Sequence, residues 1–384
     1  MTRRMRRVGT AERRARLAAR HAVAPGHRVA TVEQAAAAMV ALHGTDPAGV
    51  HLAALARVDP LAAADVDRAM HTERTLVKHM AMRNTLFGFP RDRLPVAQAV
   101  TGLRVEHSER HALVRDVERA GLHHDGARWL DDTSAAVIAL LTDGRARSLD
   151  ELRTDIPALR GAIEQGAGRS WGGRRAVGPR VLAVLSAQGR VVRAGNEGHW
   201  RTSRHRWSAM DTWLGRELDR VPTEQAEATL VGWWLRTFGP GTKDDIRWWL
   251  GSTLTVVRRA LAALAAEPVD LDERTGHLLP DDTEPAPPVA PWAALLPVMD
   301  PTVMGWRDRG WYLGPHRHRI FDSAGNAAPT AWWNGRVVGT WHQDDTGVAR
   351  PELFDDVGAE ARHQLDTEAE RITAYCAGVR VTPR

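Results

Sequence analysis

Apolar residues recur every three to four positions through most of the first 280 residues, which predicts short amphipathic helices joined by turns. In residues 31–42 they fall on one helical face, behind a Thr-x-x-Gln capping box. Gly44 is predicted to end this helix, and Asp46-Pro47 to begin the next with a cap and a first-turn proline. A third helix is predicted after Asp59-Pro60, and a strand at 85–89.

The next two stretches of the chain each show the order helix, helix, helix, hairpin, which is typical of a winged helix-turn-helix. In the first copy, one helix is predicted at 134–142, a second begins after a capping box at Ser148, and a third spans 178–188. A glycine- and arginine-rich loop is predicted at 166–175, and a hairpin turns at Asn196-Glu197-Gly198. In the second copy, one helix is predicted at 223–237, a second begins after a cap at Thr242, and a third spans 253–266. A short hairpin follows at 267–279.

Beyond a proline-rich linker at 281–291 the pattern changes to short strands broken by glycine and proline, and a last helix is predicted at 358–376. The predicted strands lie at 295–299, 311–313, 319–321 and 330–342. We therefore predict an α+β fold, mainly α, with three tandem winged helix-turn-helix units and a C-terminal β-rich, barrel-like domain. The predicted divisions are a basic arm at 1–30, three units at 31–130, 131–220 and 221–280, and the last domain at 292–384.

Composition places the chain among globular proteins, since 43% of the 384 residues are apolar and 26% are charged. The sequence contains neither an apolar run of about 18 residues nor a signal-peptide pattern. A single cysteine, Cys376, excludes a disulfide framework and a cysteine-based zinc cluster. We expect a cytoplasmic protein with no membrane contact.

The basic residues are unusual, because only Lys78 and Lys243 among the 52 are lysines. Arginine binds phosphates through its planar fork, and a net charge of +5 favours an anionic partner such as nucleic acid. Codon bias in a GC-rich genome is an alternative source of part of the arginine excess. The first twenty residues hold eight arginines and are interpreted either as a solvated arm, or a mis-assigned start, or as a phosphate-contacting extension.

Several motifs together resemble the bacterial winged-helix DNA glycosylases of the AlkZ and YcaQ type. The motifs are RTLVKHMAMRNTLFGFP (74–90), HWRTSRHRW (199–207), FGPGTKDDIRWWLG (238–251), LLPVMDPTVMGWRDRGWYLG (295–314) and AWWNGRVVGTW (331–341). The resemblance implies three winged helices and a β-barrel in a C-shaped arrangement around duplex DNA. It also implies excision of alkylated purines, including bulky adducts and crosslinks.

The family's catalytic signature is Gln-x-Gln or Gln-x-Asp, and here His43 and Thr45 stand at the two glutamine positions. An alkylated purine carries positive charge and departs without acid catalysis, so the enzyme must stabilise the cationic sugar and orient one water. A neutral histidine can orient that water and accept its proton, Thr45 can hold the water or contact a phosphate, and Asp46 can supply negative charge. The alternative is a tight corner between helices with a capping or surface histidine.

Lysine scarcity favours a monofunctional, water-using enzyme, because a glycosylase-lyase attacks C1′ with an amine. The predicted DNA contacts are Arg83, Asn84, Arg204, Arg206 and Lys243, with Arg204 and Arg206 assigned to phosphates. The alternative for the three arginines is an ordinary surface position.

Neither metal nor cofactor is expected. The histidine groups at 123–125 and 316–318 lack cysteine partners and the HExxH spacing, and are interpreted as solvent-exposed or phosphate-contacting. The tryptophan pairs at 233–234, 248–249 and 332–333 are base-stacking candidates, but their spacing favours core positions.

The sequence thus predicts a monomeric glycosylase acting on alkylated or bulky-adducted purines in duplex DNA, without a protein partner. Self-resistance to a DNA-alkylating metabolite is a hypothesis from the family resemblance alone. The rival hypothesis is a non-catalytic DNA-binding protein, either a regulator or a lesion sensor, which the missing glutamines favour. A metal-dependent hydrolase, the third possibility, lacks ligand spacing.

Overall fold

The computed structural model describes residues 5–165, 172–272 and 274–381. The fold is mixed α+β, with about half of the chain helical and several small sheets. None of the helices in these ranges is both long and apolar enough to span a bilayer.

Residues 5–97 contain five α-helices and four strands. These are β1 (Arg6–Arg7), α1 (Thr10–Arg20), α2 (Val32–Ala38), β2 (Leu42–His43), α3 (Gly49–Leu55), α4 (Ala63–Asp67), β3 (Leu76–Met80), β4 (Leu86–Pro90) and α5 (Leu94–Ala97). The next region contains α6 (Leu103–Arg119), α7 (Gly126–Leu141), β5 (Arg147–Ser148), α8 (Leu149–Asp155), β6 (Ala162–Gln165), β7 (Gly173–Ala176), α9 (Gly178–Ala187), β8 (Val191–Asn196), β9 (His205–Ala209) and α10 (Met210–Leu214).

The third region contains α11 (Thr223–Phe238), β10 (Gly241–Thr242), α12 (Lys243–Leu250), α13 (Leu254–Ala263), β11 (Glu267–Asp270) and β12 (Thr275–Leu278). The C-terminal region contains β13 (Ala293–Leu296), α14 (Pro301–Met304), α15 (Gly310–Leu313), α16 (Arg317–Ile320), β14 (Thr330–Trp333), β15 (Arg336–Gln343), β16 (Ala349–Leu353) and α17 (Ala359–Cys376).

One strand topology occurs three times along the chain. In each case a short strand pairs with the second strand of a following hairpin, giving the orders β2-β4-β3, β5-β9-β8 and β10-β12-β11. Two helices separate the short strand from the hairpin in each copy. A small sheet of this kind buries little apolar surface alone, so each copy depends on the helices packed against it.

Capping explains where several helices begin. Thr31, Ser148 and Thr242 each form a capping box, in which the hydroxyl accepts from the third helical amide and that residue's side chain accepts in return. These three predicted starts are confirmed.

The first predicted helix is too long, because α2 ends at Ala38 and Val40 has a φ of 66°. The left-handed residue reverses the chain, so that Leu42 and His43 pair with Gly88 and Phe87 as strand β2. The following helix begins at Gly49 rather than at Asp46-Pro47. His43 therefore lies in a short paired strand between α2 and α3, and not in an unpaired corner between two helices.

The N-terminal segment is not a solvated arm from residue 5 onward. Strand β1 pairs parallel to β11, and α1 buries Leu17 together with the guanidinium-bearing side chain of Arg16. Arg16 and Arg20 both contact Asp282, at 3.0 and 2.5 Å, and so hold the proline-rich segment 281–291 against α1.

Three other strand and loop predictions are wrong. Residues 173–175 belong to β7, which pairs with β6, while 166–171 lie outside the described residues. Residues 311–313 and 319–320 are helical because they lie in α15 and α16. The C-terminal sheet has the antiparallel order β13-β14-β15-β16, and α17 packs against β13 and β16.

A continuous apolar core joins the first region, the third region and the C-terminal region, whereas the second region has a core of its own. One tryptophan of each pair is buried, namely Trp234, Trp249 and Trp332, whereas Trp233, Trp248 and Trp333 are only partly buried. Between the first and last regions lies a fully buried ion pair, in which Arg57 donates to both oxygens of Asp300 at 2.9 and 2.7 Å.

Candidate catalytic corner and nucleic-acid interface

His43 lies on the edge strand of the first small sheet, immediately before the chain turns into α3. The amide of Gly44 donates to the Leu86 carbonyl at 2.8 Å, which extends the pairing by one residue beyond His43. The imidazole packs edge-to-face on the Phe87 ring, with centroids 5.4 Å apart, and His43 is only 5% exposed. The ring is therefore held by sheet pairing and aromatic packing.

The protonation of His43 is set by its surroundings. Burial and, to a smaller extent, the nearby charge of Arg83 lower the pKa of His43 to about 4, and the charge of Asp300 acts in the opposite direction. Its Nδ1 is buried without a hydrogen-bond partner among the described residues. The imidazole is consequently neutral near pH 7 and able to hold a water, although it is a weak base.

Thr45 and Asp46 have different environments in the structure. Thr45 is exposed and lines a pocket, whereas the Asp46 carboxylate accepts from the Ala48 amide at 3.0 Å and shapes the turn into α3. The charge of Asp46 also acts on Lys78, whose pKa it raises against the effect of burial. The carboxylate that raises the pKa of His43 is that of Asp300.

A pocket of about 550 Å³ opens beside Thr45, between the first region and the C-terminal region. Asn84 and Thr85 share its first wall with Thr45. The opposite wall carries the polar side chains of Arg319, Asp322 and Asn326 and the apolar side chains of Met299 and Phe321. Its volume suits a drug-sized or nucleoside-sized group.

Arg83 and Asn84 occupy a strained turn between β3 and β4, with φ angles of 55° and 56°. The Arg83 guanidinium stacks on Trp248 of α12 at 4.0 Å, and Arg309 stacks on the same indole at 4.7 Å. Asn84 donates to Glu109 at 3.3 Å.

Arg83 forms no ion pair within the described ranges. Its side chain is exposed, yet the surrounding protein removes part of its hydration and lowers its pKa to about 10, with Arg309 adding to the shift. The guanidinium of Arg83 can therefore form an ion pair with a bound anion such as a phosphate. Sequence reasoning missed Arg309, Arg319 and Asp300, since nothing in their local pattern separates them from the many other charged residues.

The remaining predicted DNA contacts differ in how they are engaged. Arg206 forms ion pairs with Glu151, at 2.7 Å, and with Glu197. Arg204 is exposed and forms no ion pair within the part of the chain that is described, and the same holds for Lys243 at the start of α12. No cluster of three metal-ligating side chains occurs among the described residues.

Comparison with known proteins adds three findings. A family model described as "DNA glycosylase AlkZ-like" matches residues 36–375. The "Interstrand DNA cross-link repair glycosylase" of Streptomyces sahachiroi is 25% identical over 269 residues, which cover 67% of this chain and 68% of that protein. The structure of Streptomyces sahachiroi DNA glycosylase AlkZ is similar over 98% of this chain and 99% of its own, with a TM-score of 0.76 and 19% identity, a level that speaks for the fold alone.

Proposed function

This chain belongs to the AlkZ-like DNA glycosylase family, and on that premise we propose that it hydrolyses the N-glycosidic bond of alkylated or bulky-adducted purines in duplex DNA. It acts as a monomer and uses water as the nucleophile. The thrice-repeated helix and strand order supports three winged helix-turn-helix units as its DNA-binding scaffold. The relative from Streptomyces sahachiroi, named for cross-link repair, makes cross-linked purines a further candidate substrate.

In the proposed reaction the bond between C1′ and the cationic purine breaks, and its electron pair neutralises the departing base. A water oxygen then bonds to C1′, and its proton leaves through His43 to solvent. Because the pKa of His43 is about 4, its main contribution is to orient the water rather than to remove the proton strongly. A weak base is enough because the oxocarbenium-like sugar is strongly electrophilic at C1′, so the water can attack before it loses its proton.

One observation carries this proposal: Thr45 and Asn84, which lie in separate segments, line the same pocket. His43 lies two residues before Thr45, and Arg83 immediately precedes Asn84. One residue of the group predicted to hold water and one residue of the group predicted to contact DNA therefore line a single pocket. Arg319 lines this pocket, and Arg83 is close enough to His43 for its charge to lower the pKa of the imidazole. In this proposal both arginines supply positive charge for phosphates.

The test is an abasic-site assay on methylated and on adducted duplex DNA, followed by mass spectrometry of the released base. We expect release by the native protein and a loss of about a hundredfold or more in His43→Ala. His43→Gln, which restores an amide that can orient water, should retain release. His342→Ala, at an exposed position of β15, is the matched control.

The rival function is DNA binding without catalysis, which the low basicity of His43 favours. Salt-sensitive binding with no base released from a broad panel of lesions would support it. Release that persists unchanged in His43→Ala would instead contradict the assigned site while leaving the glycosylase activity in place.

A further inference from the structure

A second pocket, of about 640 Å³, lies near the end of the strand that leads to Arg83. Met80 at the end of β3 contributes to one wall. The other walls come from α8, from α9 and from the hairpin β8–β9, including Arg193, Arg204 and Trp207. The pocket is of the size that binds a nucleotide-sized ligand, and no step of the proposed reaction uses it.

Arg193 lines this pocket, and no carboxylate among the described residues forms an ion pair with it. Its Nη1 donates to Nε2 of His205 at 3.0 Å, while its Nε is buried without a partner among the described residues. Burial, followed by the charge of Arg193, lowers the pKa of His205 to about 3, so this imidazole is a neutral acceptor. Within the described ranges Arg193 forms no ion pair.

The carboxylates that line the pocket are already engaged. Asp150 pairs with Arg153 at 2.9 Å, and Glu197 pairs with Arg206. Arg204, in contrast, is exposed and forms no ion pair within the described part of the chain. The local charge that remains is positive.

The ammonium group of Lys78 adds to the positive charge near Arg193. Burial and then the charge of Arg193 lower the pKa of Lys78 to about 8, although Asp46 and Asp67 act in the opposite direction. Two neighbouring cations therefore repel each other at this place, which is the arrangement that an anion relieves.

We propose that this pocket binds the phosphate of a nucleotide through Arg193 and Arg204. Met80 and Asn84 are four residues apart, so their Cα atoms lie at most about 14 Å from each other, and a nucleotide bound here is within a few steps of one in the Thr45 pocket. The assignment of the nucleotide to a DNA strand rests on the proposed function. Arg206, although close by, is held by its two carboxylates and is not a phosphate ligand in this assignment.

The first experiment measures binding of a fluorescent, undamaged duplex of about 20 base pairs as a function of salt. Arg193→Gln and Arg204→Gln should each weaken binding about tenfold and reduce the salt slope by about one. Arg204→Lys should retain most of the affinity. Arg128→Gln, which removes one exposed arginine from α7 in the same region, should change affinity less than twofold.

A second experiment reads the pocket directly through Lys78. Amine acylation followed by mass spectrometry reports on Lys78, and its rate with DNA is compared with its rate in the same protein without DNA, because Lys243, the other side-chain amine, is itself a predicted DNA contact. A phosphate beside Lys78 raises its pKa, so duplex DNA should slow acylation of Lys78 near pH 8, and Arg204→Gln should abolish the protection. Deoxyadenosine monophosphate and inorganic phosphate are tested alongside.

Unchanged affinity and salt slope in the folded Arg193→Gln and Arg204→Gln variants would overturn the proposal. Protection of Lys78 by the mononucleotide but not by duplex DNA would overturn the assignment to a DNA strand. Both readouts use undamaged DNA, so they stand even if no lesion is ever released. Loss of release in His43→Ala with intact duplex binding would separate the two sites.

Discussion

Two arginines near the C-terminal region show opposite arrangements. Arg57 is fully buried and donates to Asp300, to the Thr302 hydroxyl and to the Ala53 carbonyl. Arg83 stacks on Trp248 and, among the described residues, has no carboxylate partner. The same side chain thus serves as a structural connection at one place and remains an available cation at the other.

The difference teaches which arginines to consider functional in a chain that has fifty of them. A buried guanidinium with carboxylate and carbonyl acceptors fixes the relative position of two segments, and its removal leaves the partner charge exposed to an apolar interior. A guanidinium without a carboxylate keeps its affinity for phosphate. Ion pairing, rather than position on the surface, separates the two classes.

The largest expected effect concerns stability. Arg57→Met should destabilise the fold by about 3–5 kcal/mol, because it leaves the buried Asp300 carboxylate without its main partner. Urea denaturation followed by circular dichroism measures this loss. Arg68→Gln, which breaks exposed pairs to Asp65 and Glu73, is the control and should leave the midpoint almost unchanged. A similar loss of unfolding free energy in both variants would contradict the distinction between buried and exposed ion pairs.

The next effect is a pH dependence from His43. Its folded pKa of about 4 lies below the value near 6.5 of an unfolded histidine, so the unfolded chain binds more protons between these values. His43 should therefore cost the fold up to about 3 kcal/mol as the pH falls from 6.5 to 4. His43→Gln should lose less stability over that interval. Equal pH dependence of the two proteins would show that His43 is not buried as a neutral group.

Arg83→Met should weaken duplex binding about tenfold, since it removes one unpaired cation, and should leave the denaturation midpoint nearly unchanged. It should also raise the pKa of His43, because the charge of Arg83 lowers it. Fluorescence anisotropy and an NMR titration of the His43 ring measure the two effects. A large loss of stability in this variant would instead show that Arg83, like Arg57, stabilises the fold.

The smallest effect is expected at Arg206. Arg206→Gln should change duplex affinity less than twofold, because its guanidinium is already paired with Glu151 and Glu197. Measured beside Arg204→Gln, it compares a paired and an unpaired arginine from the same strand segment. An equal loss of affinity in both variants would show that DNA displaces the carboxylates.

Local signals predicted the helix starts where a capping box is present. The capping boxes at Thr31, Ser148 and Thr242 depend on neighbouring residues only, and all three form. The hairpin after α9 and the final helix likewise follow from local patterns. Predictions failed where pairing with a distant segment overrides local preference, as at Leu42 and His43, which pair with β4.

The candidate site was only partly within reach of the sequence. Family resemblance indicated His43 and Thr45, and the turn containing Arg83 and Asn84 was identified from its motif. The opposite wall of the pocket, with Arg319, Asp322 and Asn326, comes from a part of the chain more than two hundred residues away. Its residues carry no local signature that links them to Thr45.

By itself, then, the sequence determined the helix boundaries at capping boxes, the repeated order of helices and strands, and the excess of arginine over every other base. These properties are local or compositional. The tertiary structure alone decided which arginines are neutralised, that His43 is neutral, and that two separate segments share one pocket. Charge compensation and desolvation depend on distances across the whole fold, and no sequence window contains those distances.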